Sequence, residues 1–464
     1  MLRVPDDVLL DIFYFYVVKD YDPRGLRIAK WIRLAQVCRR WRSVIFQSPH
    51  RLNLRLVCTN RTPARDTLDI WPPLPLIIRN IIGYKPSGVD NIIAALERND
   101  RVCQIKLSWF STSEFDRVTN SAAMQKPFPA LTDLLLEQDK DDGKILPDSI
   151  FGGTAPSLRS LDFSNIPFPG LPKLLLSATH LVNLDLYIPR SGYAPPEVMA
   201  TGLSALISLE ILRLHFLHPP PRPALESQRL PPPPPPLIRS ILPGLTKIQF
   251  QGASEYLEVI LARIDSPRLD DLHVTFFNQI IFDTPQLFQL ISRTPTLRTL
   301  GAQEEAHIEF SLDTVTVRFP SQTSHSIVLR VSILCTASEW QLSSLEQVCT
   351  SSLPPVCTLN HLYILEDSKL CWQDDVENTL WLELFRPFSA VKNLYVCKKF
   401  VPRIAPALQG LVGGRTTEVF PTLESIFSDG FQASGPLHEG IEEFVAARWL
   451  TSRPVAVSHW DGRF

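Results

Sequence analysis

Hydrophobic positions in the first fifty residues recur at helical spacing. In VPDDVLLDIFYFY, Val8, Leu9, Ile12, Phe13 and Tyr16 are separated by steps of one, three and four, which gathers them on one helical face. Pro5 suits a first turn, where its missing N–H is no loss, and Asp6 and Asp7 put negative charge at the positive end of the helix dipole. A second helix is expected from Trp31 to Ile45. Trp31, Leu34, Ala35, Cys38, Trp41 and Ile45 form its apolar side, with Val37 and Val44 widening the stripe. Arg33, Gln36, Arg39, Arg40 and Arg42 fall mostly opposite, and Pro49 ends the run. The polar KDYDPRG between them continues neither helix. A unit this short cannot bury so wide an apolar surface within itself, so part of it must meet a partner or the next domain.

From Arg51 to about Asp100 the pattern changes. RLNLRLVC alternates like a strand, WPPLPLIIRN is broken by prolines, and VDNIIAALERN is a short helix burying Ile92, Ile93 and Leu96. This stretch is expected to cover the end of a repetitive region that begins after it. There the pattern apolar-x-x-apolar-x-apolar begins twelve times, at Val102, Leu131, Leu158, Leu181, Leu209, Leu245, Leu269, Leu297, Val328, Leu359, Val391 and Leu423, in steps of 23 to 36 residues. Proline stands two places before the first apolar residue at Pro129, Pro156, Pro243, Pro267, Pro295 and Pro421, where it stops a helix and favours an incoming strand. Helical patterns lie between: Leu257, Ile260, Leu261 and Ile264; Leu287, Leu290 and Ile291; Leu342, Leu345 and Val348; Val376, Leu380 and Leu384.

One strand, one loop and one helix per unit of this length resembles leucine-rich repeats, whose single units cannot bury their apolar side and therefore stack. The asparagine that closes the usual repeat is missing; Asp139, Leu217 and Phe277 stand at its place. The expected fold class is α/β: a small N-terminal helical motif followed by an irregular solenoid, with parallel strands on the concave face and helices on the convex face. A conventional α/β fold with a parallel sheet is the rival, and the short unit without a Gly-rich phosphate loop favours the solenoid. The expected divisions are residues 1–50, a transition and cap at 51–100, the repeats at 101–430, and a closing helix and tail at 431–464. A proline-rich insertion at 218–236 would form stiff polyproline II segments. A solvated linker is favoured there over a ligand for an SH3-like or WW-like domain. In the closing helix Ile441, Phe444, Val445, Trp449 and Leu450 share one side, which would cap the last repeat.

Composition narrows the function classes. The 464 residues are 45% hydrophobic and 20% charged, with a net charge of −2, so no broad basic field invites nucleic acid. Forty-one prolines, many of them spread singly, point to frequent turns. The eight cysteines form no C-x-x-C and stand near no histidine pair at zinc spacing, so they are expected to be reduced and buried. Asp6, Asp7 and Asp11 interrupt any apolar leader, and no run is long enough to span a bilayer. The expectation is a cytoplasmic or nuclear protein without membrane contact.

Catalytic patterns are missing: there is no G-x-S-x-G, no Walker loop and no H-E-x-x-H. Asp139, Asp141 and Asp142 lack the alternation and late Glu of a metal loop, and His215 with His218 is too small a set for a metal. No catalytic, cofactor or metal residue is therefore assigned. Strand alternation turns the residues between the buried leucines outward, among them Arg213, His215, His273, Tyr363 and Tyr395, which are the candidates for holding a target protein.

The two ends of the opening helices resemble the F-box. Pro5-Asp-Asp-Val8-Leu9-Leu-Asp-Ile12-Phe13 is similar to its opening LPxEVLxxIF, and Leu34-Ala-Gln-Val37-Cys38-Arg-Arg-Trp41-Arg to its closing LxxVCRxWR. Val4 replaces the first leucine, and the Tyr14–Lys30 join is longer than in the family. With the loose repeats and the EEFVAAR…SRPVAVSHWD ending, the chain is similar overall to fungal F-box proteins. The resemblance implies docking on the Skp adaptor of a cullin-type ubiquitin ligase through Pro5, Val8, Leu9, Ile12, Leu34, Val37, Cys38 and Trp41. It implies a non-catalytic substrate receptor whose repeats hold a target protein. The alternative is a repeat scaffold with no ligase role.

Overall fold

Strands form where apolar residues alternate with polar ones, and each strand buries alternate side chains against helices on one side of a sheet. This is visible in the computed structural model, which describes residues 4–18, 30–80, 88–138, 145–219, 239–301, 304–320, 328–353, 356–366, 376–413, 415–429 and 439–461. The chain is mixed α/β, with a helical N-terminal region and mostly parallel strands. It divides into two units, Met1–Ala194 and Pro195–Phe464. The proline-rich insertion beyond Pro219, the middle of the Tyr14–Lys30 join, Asp139–Asp142 and Cys371 lie outside the described residues.

The first unit opens with α1 (Asp6–Val18), α2 (Lys30–Val37) and α3 (Arg39–Gln47). Six strands come next: β1 (Leu56–Cys58), β2 (Leu76–Arg79), β3 (Val102–Phe110), β4 (Asp133–Gln138), β5 (Ser160–Ser164) and β6 (Asn183–Ile188). They pair in sequence order, and every pair is parallel. Register lines up the core: Ile105, Leu134, Leu161 and Leu184 are successive partners, as are Leu107, Leu136, Phe163 and Leu186. The stretch expected to be a cap already contributes β1 and β2 to this array.

The second unit contains β7 (Ile211–Phe216), β8 (Ser240–Ile241), β9 (Lys247–Gly252), β10 (Ile264–Asp265), β11 (Asp271–Phe277) and β12 (Glu305–Phe310). It continues with β13 (Thr314–Pro320), β14 (Val328–Leu334), β15 (His361–Glu366), β16 (Asn393–Val396), β17 (Ser425–Ser428) and β18 (Ala456–His459). Its main sheet runs β7-β9-β11-β14-β13-β12-β15-β16-β17-β18, while β8 pairs with β10 separately. Leu209, Leu245, Leu269, Leu359, Val391 and Leu423 are buried two residues ahead of their strands. Where an asparagine ladder is missing, hydroxyls and backbone amides tie the stretches ahead of successive strands together. Thr246 donates to the Glu210 carbonyl, Thr296 to that of Leu269, and Thr422 to that of Val391.

Three expectations fail here. Leu297 begins no strand but sits on the short helix Pro295–Gly301, and the chain instead makes an antiparallel meander, β12-β13-β14. Its signal was legible in HIEF-SLD-TVTVRF, where apolar residues alternate on both sides of a turn. The array also does not stop after β17, because β18 pairs parallel to it. Third, the helix Asn378–Phe385 buries Trp381, Leu382, Leu384 and Phe385, leaving Leu380 at its edge.

The closing helix, Glu439–Leu450, shows why side assignment can slip. Ile441, Phe444 and Arg448 face inward, whereas Trp449 is 71% and Leu450 85% exposed. Steps of three and four from Ile441 lead to position 448, so an arginine occupies the core site. It is tolerated because its guanidinium donates to the carbonyls of Thr416, Phe420 and Leu423 at 3.1–3.3 Å. The seven described cysteines are free, with Cys58, Cys335 and Cys349 buried as expected and Cys38 and Cys357 exposed.

Arg448→Ala takes this donor from all three carbonyls, of which Phe420 keeps the Leu423 amide, and is expected to cost on the order of 3 kcal/mol. Trp449→Ala is expected to change stability by less than about 0.5 kcal/mol. Urea unfolding of both variants checks the assignment, and the reverse order would restore the apolar face read from the sequence.

Candidate functional site: a helical docking face and a side-chain ladder

The expected second helix is two helices, α2 and α3, hinged at Cys38. Cys38 is extended (φ −157°, ψ 168°), and its Sγ accepts from the Trp41 amide at 3.4 Å as the N-cap of α3. The break turns α3 so that Val44 and Ile45 are buried, and it leaves Val37 at the corner 59% exposed. The Arg42 Nε closes the corner by donating to the Ala35 carbonyl at 2.9 Å.

α1 is apolar on more than one side. Leu9, Leu10 and Phe13 are buried, and Phe13 meets Trp41 with ring centroids 4.8 Å apart. On another side Val4, Val8 and Ile12 succeed one another at intervals of four, and Val8 and Ile12 remain 46% and 52% exposed. Phe15, one turn further along, is 68% exposed. Arg40 pairs with Asp6 at 2.6 Å and Arg51 with Asp11 at 2.7 Å, which hold α1 in place at its polar edge. Arg40 and Arg42 are thus engaged within the chain. Below the helices, buried Trp31 donates to the Arg55 carbonyl at 3.0 Å and packs edge-on against Trp71 at 5.4 Å and Phe46 at 6.0 Å. Trp71, which opens the WPP segment, therefore ties the helices to the start of the first unit's strands.

Of the residues expected to form the docking face, Pro5, Val8, Ile12, Val37 and Cys38 are exposed, and Trp41 is half-buried. Leu9 and Leu34 are buried, at 6% and 9% exposure, beneath these exposed side chains. Phe15 and Val4 were missed as exposed neighbours. Val4 continues the four-residue interval of Val8 and Ile12, a spacing already visible in the sequence.

The sheet of the second unit carries the other candidate surface. Register makes one continuous cross-strand row: Arg213, Gln249, His273, Arg330, Arg318, His307, Tyr363, Tyr395 and Phe427 are successive partners from β7 to β17. Four of the five predicted residues, Arg213, His273, Tyr363 and Tyr395, lie in it. His215 lies in the next row, opposite Gln251. The Arg213 Nε donates to the Gln249 Oε1 at 2.9 Å, and His273 Nε2 stands 3.0 Å from the Asp271 Oδ1. Burial works to raise the Asp271 carboxyl, but His273 and Lys247 together hold it below its usual value. Tyr363 and Tyr395 stack at 4.1 Å and Tyr395 and Phe427 at 4.6 Å, with Trp460 tilted against both tyrosines.

His307 and Arg318 were missed because they sit on strands of the unexpected meander, and Arg330 because it stands ahead of Val331 in the unit expected from Val328. His307 is 4% exposed, and its Nδ1 accepts from Arg318 at 3.2 Å, because a guanidinium can only donate. Burial, and then the Arg318 charge, hold this imidazole down to about 4. Among the described residues no group of three His, Cys, Asp or Glu side chains is arranged to hold a metal, and no helix is long and apolar enough to cross a membrane.

Residues 1–50 match the family model described as F-box-like, which supports an F-box protein. No curated protein matches the chain.

The depressed His307 has a pH consequence. The unfolded imidazole takes up a proton near pH 6.5, whereas the folded one waits until about 4. Its stabilising contribution is therefore complete above pH 6.5 and is lost as pH falls toward 4. Between pH 7 and 5 this loss is about 2 kcal/mol. His307→Gln is expected to remove that part of the fall, read as the difference in urea midpoints between wild type and variant at the two pH values.

Proposed function

We propose that the chain is a receptor subunit of a cullin-type ubiquitin ligase, with α1–α3 docking a Skp-type adaptor and the second unit holding a target protein. The carrying observation is that Val8, Ile12 and Val37, within the residues that match the F-box-like family, remain exposed. A cluster of bare aliphatic side chains on a small helical unit is stabilised when another protein covers it. The strand-loop-helix succession in each unit supports reading both as loose leucine-rich repeats, whose open strand faces offer a rigid platform.

In this reading the chain itself performs no chemistry. It positions: tethering a target beside the ligase machinery raises its effective concentration there, and other subunits transfer ubiquitin. No cofactor is required, and the protein works in the cytoplasm or nucleus. The rival scaffold reading would leave the aliphatic face of α1 without an adaptor.

Ile12→Ser with Val37→Ser removes two exposed aliphatic contacts, worth roughly 1.5–3 kcal/mol each when buried. Adaptor affinity is expected to fall by about a hundredfold or more with the thermal midpoint unchanged. Leu9→Ala is expected to lower the midpoint first, since Leu9 is internal. Calorimetric titration with purified adaptor reads the outcome, and undiminished binding by the folded double variant excludes this docking face.

A further inference from the structure

The cross-strand row on the second unit's sheet changes character along its length. Arg330 and Arg318 stand directly opposite each other on β14 and β13. Like charges in that relation repel and weaken a sheet. Both guanidinium Nε atoms are shielded from water without a hydrogen-bond partner, and among the described residues neither arginine has a carboxylate partner. Of the carboxylates nearby, Asp271 is paired with Lys247 and His273, while Glu305 and Glu309, on either side of His307 in β12, make no ion pair with either arginine. His307 accepts from Arg318 and offers it no negative charge. Two strands further on, the row becomes the Tyr363–Tyr395–Phe427 stack with Trp460 beside it.

We propose that this row binds an extended acidic segment of the target protein, with carboxylates on Arg330 and Arg318 and a large apolar side chain at the Tyr395–Trp460 end. The proposal rests on reading this sheet face as the target-binding surface. Charge complementarity selects the occupant. Two unneutralised guanidinium groups side by side suit carboxylates, which they can grip in forked pairs. Nucleic acid fits worse, because bases need an open ring face to stack on. Here the faces of Tyr363, Tyr395 and Phe427 cover one another at interplanar angles of 11° and 10°.

Geometry also sets a spacing. The sheet order β13-β12-β15-β16 separates Arg318 from Tyr395 by three strand intervals, about 14 Å at the usual strand separation. An extended segment covers that with about four residues. The favoured target therefore carries an acidic pair and a large apolar residue about four positions apart.

The test titrates the full chain with labelled Gly/Ser peptides carrying Asp-Asp and Trp at separations from one to eight, read by fluorescence anisotropy. The tightest binding is expected near a separation of four. It should weaken at least tenfold in Arg330→Gln, in Arg318→Gln and in Trp460→Ala, and Arg330→Lys should restore part of it. Because the paired arginines repel, Arg330→Gln is also expected to keep or raise the thermal midpoint. A lowered midpoint would make the pair structural and overturn the proposal. So would absence of binding to every peptide, indifference to the arginine changes, or equal competition by single-stranded oligouridylate. The same preparations are titrated with the Skp-type adaptor: peptide failure with adaptor binding intact removes this inference alone, whereas adaptor failure removes the receptor reading.

Discussion

Parallel register between neighbouring strands is the constraint on which this protein depends. A unit of one strand and one helix has too little interior to be stable by itself, and becomes so only when its buried leucines line up with those of the next unit. Leu134, Leu161 and Leu184 meet that requirement in the first unit, and Leu272, Leu362 and Leu394 occupy the same kind of position in the second. Because side chains alternate along a strand, fixing the buried row fixes the outward row as well. The candidate binding row is thus a by-product of core packing, and its residues could vary in chemistry without disturbing the stack beneath them.

Both candidate surfaces lie where internal packing leaves something unsatisfied. On α1 the shortfall is apolar: Leu9, Leu10 and Phe13 fill the interior, and Val8, Ile12 and Phe15 stay exposed. On the second unit's sheet the shortfall is electrostatic: Arg318 and Arg330 face each other without a counter-charge among the described residues. Arg448 shows the contrast. It is fully buried and donates through its two Nη atoms to three carbonyls, with only its Nε unpartnered, so it reads as structure beyond a ligand's reach.

Much of this was legible in the chain itself. The helical intervals from Val8 to Tyr16 placed α1, and the motif ending in Val37, Cys38 and Trp41 placed α2 and α3. The recurrent apolar-x-x-apolar-x-apolar units placed the strands, except at Leu297. There the same local pattern, PTLRTL, became a helix, because a short apolar run suits either element and neighbours decide between them. Cys38 was misread for a related reason. It has helical spacing to Trp31 and Trp41, but spacing carries no record of where a cap interrupts the backbone.

The sequence by itself determined which residues alternate, which recur at helical intervals, and hence that the chain would stack strand-helix units behind a short helical motif. Those are local properties, set by the geometry of one strand or one turn of helix. Tertiary structure alone decided which side of α1 was buried, that Arg448 and not Trp449 would face inward, and that Arg318 and Arg330 would become neighbours. Each of these depends on partners brought together across strands or from distant turns of chain. The register that supplies such partners arises only when the whole array is assembled.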